Sequence, residues 1–73
     1  MNRREYERAL IGIGGTVERL HRSGEVRYRH PLVRRVINMN GRRKDPSIVA
    51  LMLYRQALKA VNAKAAPYRS IAS

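Results

Sequence analysis

The chain has 73 residues and a net charge of +11, and its length allows one small domain. It has no cysteine, which excludes disulfide bonds and thiolate metal sites. Its longest apolar run, Ile48–Tyr54, is far shorter than the roughly 18 residues that a transmembrane helix needs. No apolar core follows the opening residues Asn2–Glu5, so the sequence predicts no signal peptide. We therefore expect a monomeric cytoplasmic protein with its own small core and no membrane segment.

The first predicted element is a helix over residues 3–22. Apolar residues recur along it at every third or fourth position, which is the period of one helix face. Three glycines interrupt this segment without shifting the phase of the apolar stripe, and they are Gly12, Gly14 and Gly15. Each glycine costs about 1 kcal/mol relative to alanine in a helix interior. We therefore expect a helix that is bent or weakened at its middle.

The same glycines permit two loop interpretations. A dinucleotide-binding G-x-G-x-x-G loop would need a glycine where Val17 stands and a strand in front of it. The segment Leu10–Gly14 resembles the hairpin of helix-hairpin-helix DNA-binding proteins, but that family has a small residue where this chain has Glu18. The sequence therefore favours the bent helix over both loops.

A linker and a short second helix follow. The segment Glu25–Arg29 alternates as a strand does, but no partner strand is evident, which favours an extended linker. Pro31 suits the first position of a helix, and the apolar residues of the segment 31–39 share one helical face. Gly41 ends this predicted helix, and the basic loop Arg42–Lys44 comes after it.

The third predicted helix spans residues 46–64. Asp45 is in place to cap it and Pro46 to occupy its first position. Its first half is apolar nearly all the way round, and Met52 falls among the polar positions. This pattern indicates either the central helix of a bundle or a surface that contacts another protein.

These elements predict a single all-α domain of three helices, residues 1–66, with a flexible C-terminal tail, 67–73.

The sequence shows no combination of residues that is typical of a catalytic or metal site. His21 and His30 are nine residues apart with a single acid between them, which makes a poor metal site. The five acidic residues form no evident pair for acid–base work. We therefore expect a binding protein that has no catalytic residue, metal or cofactor.

The basic residues indicate an acidic partner. The segment Arg27–Lys44 holds seven basic residues and no acidic one, and thirteen of the sixteen basic residues in the chain are arginine. Arginine suits bidentate recognition of carboxylate or phosphate, although a GC-rich genome also favours it. The predicted helices 31–39 and 46–64 also allow a helix-turn-helix-like DNA-binding module, which would contact nucleic-acid phosphates without sequence specificity.

Three segments stand out in the whole chain: Met1–Arg8, Ile11–Thr16 and Asn40–Pro46. With the rest of the sequence they resemble the small transcription regulators of lytic Xanthomonas phages. The resemblance implies a protein that acts in the host cytoplasm and binds the host RNA polymerase at the N-terminal part of its largest, beta-prime subunit. It also implies that this binding loosens the sigma factor, blocks promoter recognition and lets polymerase read through terminators.

Candidate contact residues for such a partner lie off the predicted core stripes and in the basic segment. Ile11 and Met52 are the apolar candidates, and ordinary surface exposure is the alternative for both. The basic candidates are Arg34, Arg35, Arg42, Arg43 and Lys44. If no polymerase partner exists, the alternative function is a small basic DNA-binding module.

Overall fold

Two helices and a three-stranded antiparallel sheet make up the fold in a computed structural model, which describes residues 1–65. In chain order the elements are α1 (Arg3–Gly12), β1 (Thr16–Leu20), β2 (Glu25–His30), β3 (Val33–Asn40) and α2 (Ile48–Ala65). The strands lie in the order β1-β2-β3. The fold is therefore α+β, and the prediction of an all-α domain of three helices is wrong. The predicted tail, 67–73, lies outside the described residues.

A pair of glycines ends α1 ten residues before the predicted end of the first helix. Gly14 has φ +94°, and its N–H donates to the Ile11 carbonyl at 3.0 Å. The Gly15 N–H donates to the Leu10 carbonyl at 2.9 Å. These two bonds form a Schellman motif, in which the left-handed residue is most often glycine. A strand follows the glycines, so neither the long bent helix nor a helix-hairpin-helix motif forms.

The predicted linker, 25–29, is the central strand β2. Tyr28 pairs with Val17 of β1 on one side and with Ile37 of β3 on the other. The apolar spacing of both partner strands predicts helices, which is why no partner strand is evident in the sequence. Along β2 the side chains alternate between a buried face and an open face, as a strand with one covered side requires.

The predicted helix 31–39 is a tight turn and strand β3. His30 pairs with Val33, so Pro31 and Leu32 form the two-residue connection between β2 and β3 instead of a helix start. The pairing shifts register between Tyr28 and His30, which places extra β3 residues opposite β2. This irregularity hides the two-residue alternation in the sequence and leaves a spacing of four that resembles a helix face.

The third predicted helix, 46–64, corresponds to α2 and begins two residues later than expected. The Ser47 hydroxyl accepts a hydrogen bond from the Ala50 N–H at 3.1 Å, so Ser47 caps the helix in place of Asp45. Ala50, Leu53 and Ala57 are fully buried. They form the helix face that packs against β2 and β3.

The core lies between the sheet and the two helices, around Tyr6 and Tyr28. Their rings meet edge to face with centroids 5.2 Å apart. The Tyr6 hydroxyl donates to the Ala50 carbonyl at 2.5 Å, and the Tyr28 hydroxyl donates to a Glu7 carboxylate oxygen at 2.7 Å. Burial raises the pKa of Tyr6 to about 12. Burial, and then the Glu7 hydrogen bond, raise the pKa of Tyr28 well above its usual value.

Candidate functional site

The seven predicted contact residues fall at opposite ends of the sheet. We call one the loop end, where the 41–47 loop joins β3 to α2, and the other the turn end, where the 31–32 turn joins β2 to β3. The residues at the loop end or on the α2 turns next to it are Arg42, Arg43, Lys44 and Met52. The residues at or near the turn end are Ile11, Arg34 and Arg35. All seven are exposed, but no single surface joins them.

A basic cleft is present at the loop end. It encloses about 260 Å³, and its lining residues are Asn2, Arg3, Arg4, Arg42, Arg43 and Lys44. The two segments are held together by the Arg3 N–H, which donates to the Lys44 carbonyl at 2.8 Å. The Arg3 guanidinium also donates to the Gly41 carbonyl. The fold thus brings the start of α1 to the loop that precedes α2.

The charge of the basic cleft is largely uncompensated. Among the described residues that line it, none is acidic. Arg3 is paired with Glu7, with 3.8 Å between Nε and the carboxylate, and most of its side chain is buried. The salt bridges among residues 1–65 use no other residue of the cleft. Four cationic side chains therefore line the cleft without a salt-bridge partner, beside a fifth that is fixed in place.

Sequence reasoning found only half of the basic cleft. It identified the loop arginines and Lys44, but it missed Arg3 and Arg4, which lie about forty positions earlier in the chain. The available signal was weak, because arginines at the start of a helix usually form a solvated face. Only the tertiary fold shows that the two basic segments share one cleft.

The first two turns of α2 expose an apolar surface next to the basic loop. This α2 patch consists of four large apolar residues, and they are Ile48, Val49, Leu51 and Met52. Ile48 is 77% exposed and Met52 is 42% exposed. Single exposed apolar residues are ordinary, whereas a group of neighbours on one helix is typical of a contact surface.

The turn end is arranged differently, around a buried histidine. Nδ1 of His30 accepts a hydrogen bond from the Leu32 N–H at 3.1 Å. Because a backbone N–H only donates, the ring proton lies on Nε2, which donates to the Ile13 carbonyl at 2.7 Å. Both ring nitrogens are thus in use, and His30 ties the end of α1 to the β2–β3 turn. It is a structural residue, as the two hydrogen bonds leave no nitrogen for a metal or a proton transfer.

Neither a membrane helix nor a metal cluster is found in the described part of the chain. No helix within residues 1–65 is long and apolar enough to cross a bilayer. These residues also hold no group of three or more side chains suited to bind a metal ion. Comparison of the chain with protein-family models, curated proteins and solved structures finds no match. The fold and its surfaces therefore define a class only: a small basic α+β domain with a basic cleft and an apolar patch side by side.

Proposed function

We propose that this chain is a phage transcription regulator that binds the RNA polymerase of its bacterial host, at the N-terminal part of the beta-prime subunit. In this proposal, binding loosens the sigma factor, inhibits promoter recognition and promotes terminator read-through in the host cytoplasm. The identity of the partner rests on the resemblance of the whole sequence to phage regulators. The exposed surfaces of the fold support the more general part of the proposal, which is a protein partner.

The α2 patch is the observation that carries the proposal. Protein interfaces combine an apolar centre, which is desolvated on binding, with a polar or charged rim. The α2 patch supplies such a centre, and the adjoining loop with Arg42, Arg43 and Lys44 supplies a positive rim. A rim of this sign speeds association with an acidic protein surface. Ile11, Arg34 and Arg35 lie at the other end of the sheet, so we centre the contact on Met52.

The test compares two substitutions of the same chemical kind. Met52→Glu places a charge in the α2 patch, whereas Ile11→Glu places one on a 55% exposed residue near the turn end. We expect Met52→Glu to weaken binding to purified host polymerase at least about tenfold, since one desolvated charge costs more than 1.4 kcal/mol. Ile11→Glu should bind as the wild type does. Circular dichroism should be unchanged in both variants.

Two results would count against the proposal. One is a pull-down in which the wild-type chain recovers no polymerase subunit. The other is a Met52→Glu variant that binds polymerase as tightly as the wild type. A transcription assay then separates binding from regulation. Added wild-type chain should reduce sigma-dependent initiation and increase read-through at a terminator, and the Met52→Glu variant should do neither.

A basic DNA-binding module without a polymerase partner is the second candidate, and the basic cleft favours it. Its helix-turn-helix form is not available, because the segment 31–39 is strand β3 and not a helix. A pull-down from nuclease-treated host lysate in moderate salt distinguishes the two candidates. Polymerase subunits are recovered under the first, and no specific protein is recovered under the second.

A further inference from the structure

We propose that the basic cleft is a binding site for the backbone phosphates of nucleic acid. This inference goes beyond the polymerase contact because it concerns a different ligand, although Arg42, Arg43 and Lys44 belong both to the cleft and to the rim of that contact. It is tested with oligonucleotide in the absence of polymerase. It rests on two features of the cleft: the kind and placement of its cations, and its size.

The cations of the basic cleft are placed to receive an anion. Four of its five basic residues are arginines, whose planar guanidinium groups bind phosphate oxygens in pairs. Arg3 is fixed by the Gly41 carbonyl and Glu7, so its position is set before any ligand binds. Asn2, Arg3 and Arg4 are the cap and the first two residues of α1, and a capping box places the Glu5 carboxylate on the Asn2 N–H. The basic side chains, and not the helix end, therefore supply the attraction for an anion.

The basic cleft has room for a phosphate group. Its volume of about 260 Å³ is near the lower end of the range of about 300–1,000 Å³ for sites that hold whole small ligands. Because the cleft is open to solvent, the chain of a bound phosphodiester can continue outside it.

A second depression lies beside the basic cleft, at Gly41, whose carbonyl accepts the hydrogen bond from the Arg3 guanidinium. It encloses about 230 Å³, and Arg19, His21 and Glu25 are among its lining residues. Arg19 is paired with Glu7 at 3.3 Å, and Glu25 adds a negative charge. The second depression therefore offers no unpaired arginine, and we place the phosphate contact in the basic cleft alone.

The binding that we propose reads phosphates and not bases. Stacking of bases requires exposed aromatic rings, and within residues 1–65 Tyr6 and Tyr28 are fully buried while Tyr54 is half-buried. The open face of the sheet offers ion-paired groups instead, since Arg27 pairs with Glu18 at 3.4 Å. Affinity should therefore depend on salt and hardly on nucleotide sequence.

A titration with a fluorescent twelve-nucleotide oligothymidylate tests the proposal, with two double variants of equal charge. Arg42→Ala with Arg43→Ala removes two cations from the basic cleft, and Arg34→Ala with Arg35→Ala removes two exposed cations from β3. We expect the first pair to raise the Kd about tenfold at low salt and to flatten the salt dependence by about 1.4, since each single-strand phosphate contact contributes about 0.7. The second pair should change the Kd less than threefold. Equal losses would overturn the proposal, because they indicate attraction by net charge alone.

Two further probes separate phosphate from other anions. A polyglutamate peptide of matched length and charge presents carboxylates, and vesicles that contain phosphatidylglycerol present phosphate on a membrane. We expect both to bind the wild-type chain at least about tenfold more weakly than the oligonucleotide at 150 mM salt. Polyglutamate of equal affinity would make the cleft an acidic-protein site, and vesicles of equal affinity would make it a membrane site. Either result would overturn the assignment to nucleic acid.

Discussion

The loop end and the turn end of the sheet carry similar residues and use them differently. Both ends expose arginines and apolar side chains. At the loop end, arginines from two distant segments enclose a cleft in which, among the described residues, only Arg3 has a salt-bridge partner. At the turn end, Arg34 and Arg35 project from a single strand, and the buried polar group, His30, is satisfied within the fold by Ile13 and Leu32. The fold thus satisfies the buried polar group of the turn end, whereas it leaves four of the five clustered cations of the loop end without a salt bridge among residues 1–65.

Gly15→Ala, at the turn end, should cause the largest loss of stability among these substitutions. An added Cβ would lie 2.6 Å from Leu10 Cγ and 2.9 Å from the Leu10 carbonyl oxygen, and the backbone oxygen has no room to move aside. We expect a loss of about 2–4 kcal/mol in the free energy of unfolding. Urea denaturation measures it. Gly12→Ala is the matched control, because its Cβ meets nothing within 4 Å in helix α1.

That control should be neutral or should stabilise the protein by up to about 1 kcal/mol. A Gly15→Ala variant as stable as the wild type would contradict the close contact between Gly15 and Leu10. Equal losses at both glycines would point to a general need for chain flexibility, and the contrast between the two positions would then be lost.

His30→Phe tests the second support of the turn end. Phenylalanine also has an aromatic ring, but it cannot form hydrogen bonds with the Ile13 carbonyl and the Leu32 N–H. Both groups would lose their partner beside a buried side chain. We expect a loss of about 1–3 kcal/mol, which corresponds to one or two unsatisfied buried groups. Thermal unfolding followed by circular dichroism measures it. The exposed His21 in the β1–β2 loop is the control, and His21→Phe should stay within about 0.5 kcal/mol of the wild type.

The two ends also differ in what the sequence reveals about them. A helix between residues 46 and 64 could be predicted, because helix-forming residues follow one another without interruption. Its capping residue, Ser47, lies two positions after the predicted one, Asp45. The sheet could not. The irregularity in β3 breaks its alternation and leaves a spacing that fits a helix, and the apolar residues of β1 continue the stripe of α1. β2 alternates as a strand does, but both of its partners resemble helices in the sequence. Half of the basic cleft was visible as a charged loop. The other half was not, since nothing local links Arg3 to Gly41 across 38 positions.

High pH should weaken the core that both ends share. The raised pKa of Tyr6, about 12, and the raised pKa of Tyr28 mean that the folded state keeps protons which the unfolded state releases from about pH 10 upward. The stability that these hydroxyls contribute is therefore complete below pH 10 and is lost as the pH rises toward 12. We expect the urea midpoint at pH 10.5 to lie below that at pH 9, a smaller change than for either substitution above. Tyr6→Phe should reduce this dependence, and an unchanged pH profile would contradict it.

The smallest change in stability should come from the loop end, where the same substitutions affect binding most. Arg42 and Arg43 are exposed, and the only hydrogen bond from either side chain among the described residues runs from Arg43 to the nearby Asp45 carbonyl at 2.9 Å. We expect the double alanine variant to unfold within about 0.5 kcal/mol of the wild type. At low salt its melting temperature should even rise slightly, because two of five neighbouring cations are removed, and the rise should disappear in 0.5 M salt.

The stability of the double variant tests the contrast between the two ends. Unchanged or slightly raised stability would support the proposal that these cations repel one another in the free protein and serve an anionic ligand and not the fold. A loss of more than about 1 kcal/mol in the double variant would show instead that the loop arginines hold the 41–47 segment in place. The loop end would then contribute to stability as the turn end does, and its lost affinity for oligonucleotide would have to be attributed to a misplaced loop. Arg3→Ala supplies the comparison, because its contacts to Gly41 and Glu7 should make it the one cleft arginine whose removal lowers both stability and binding.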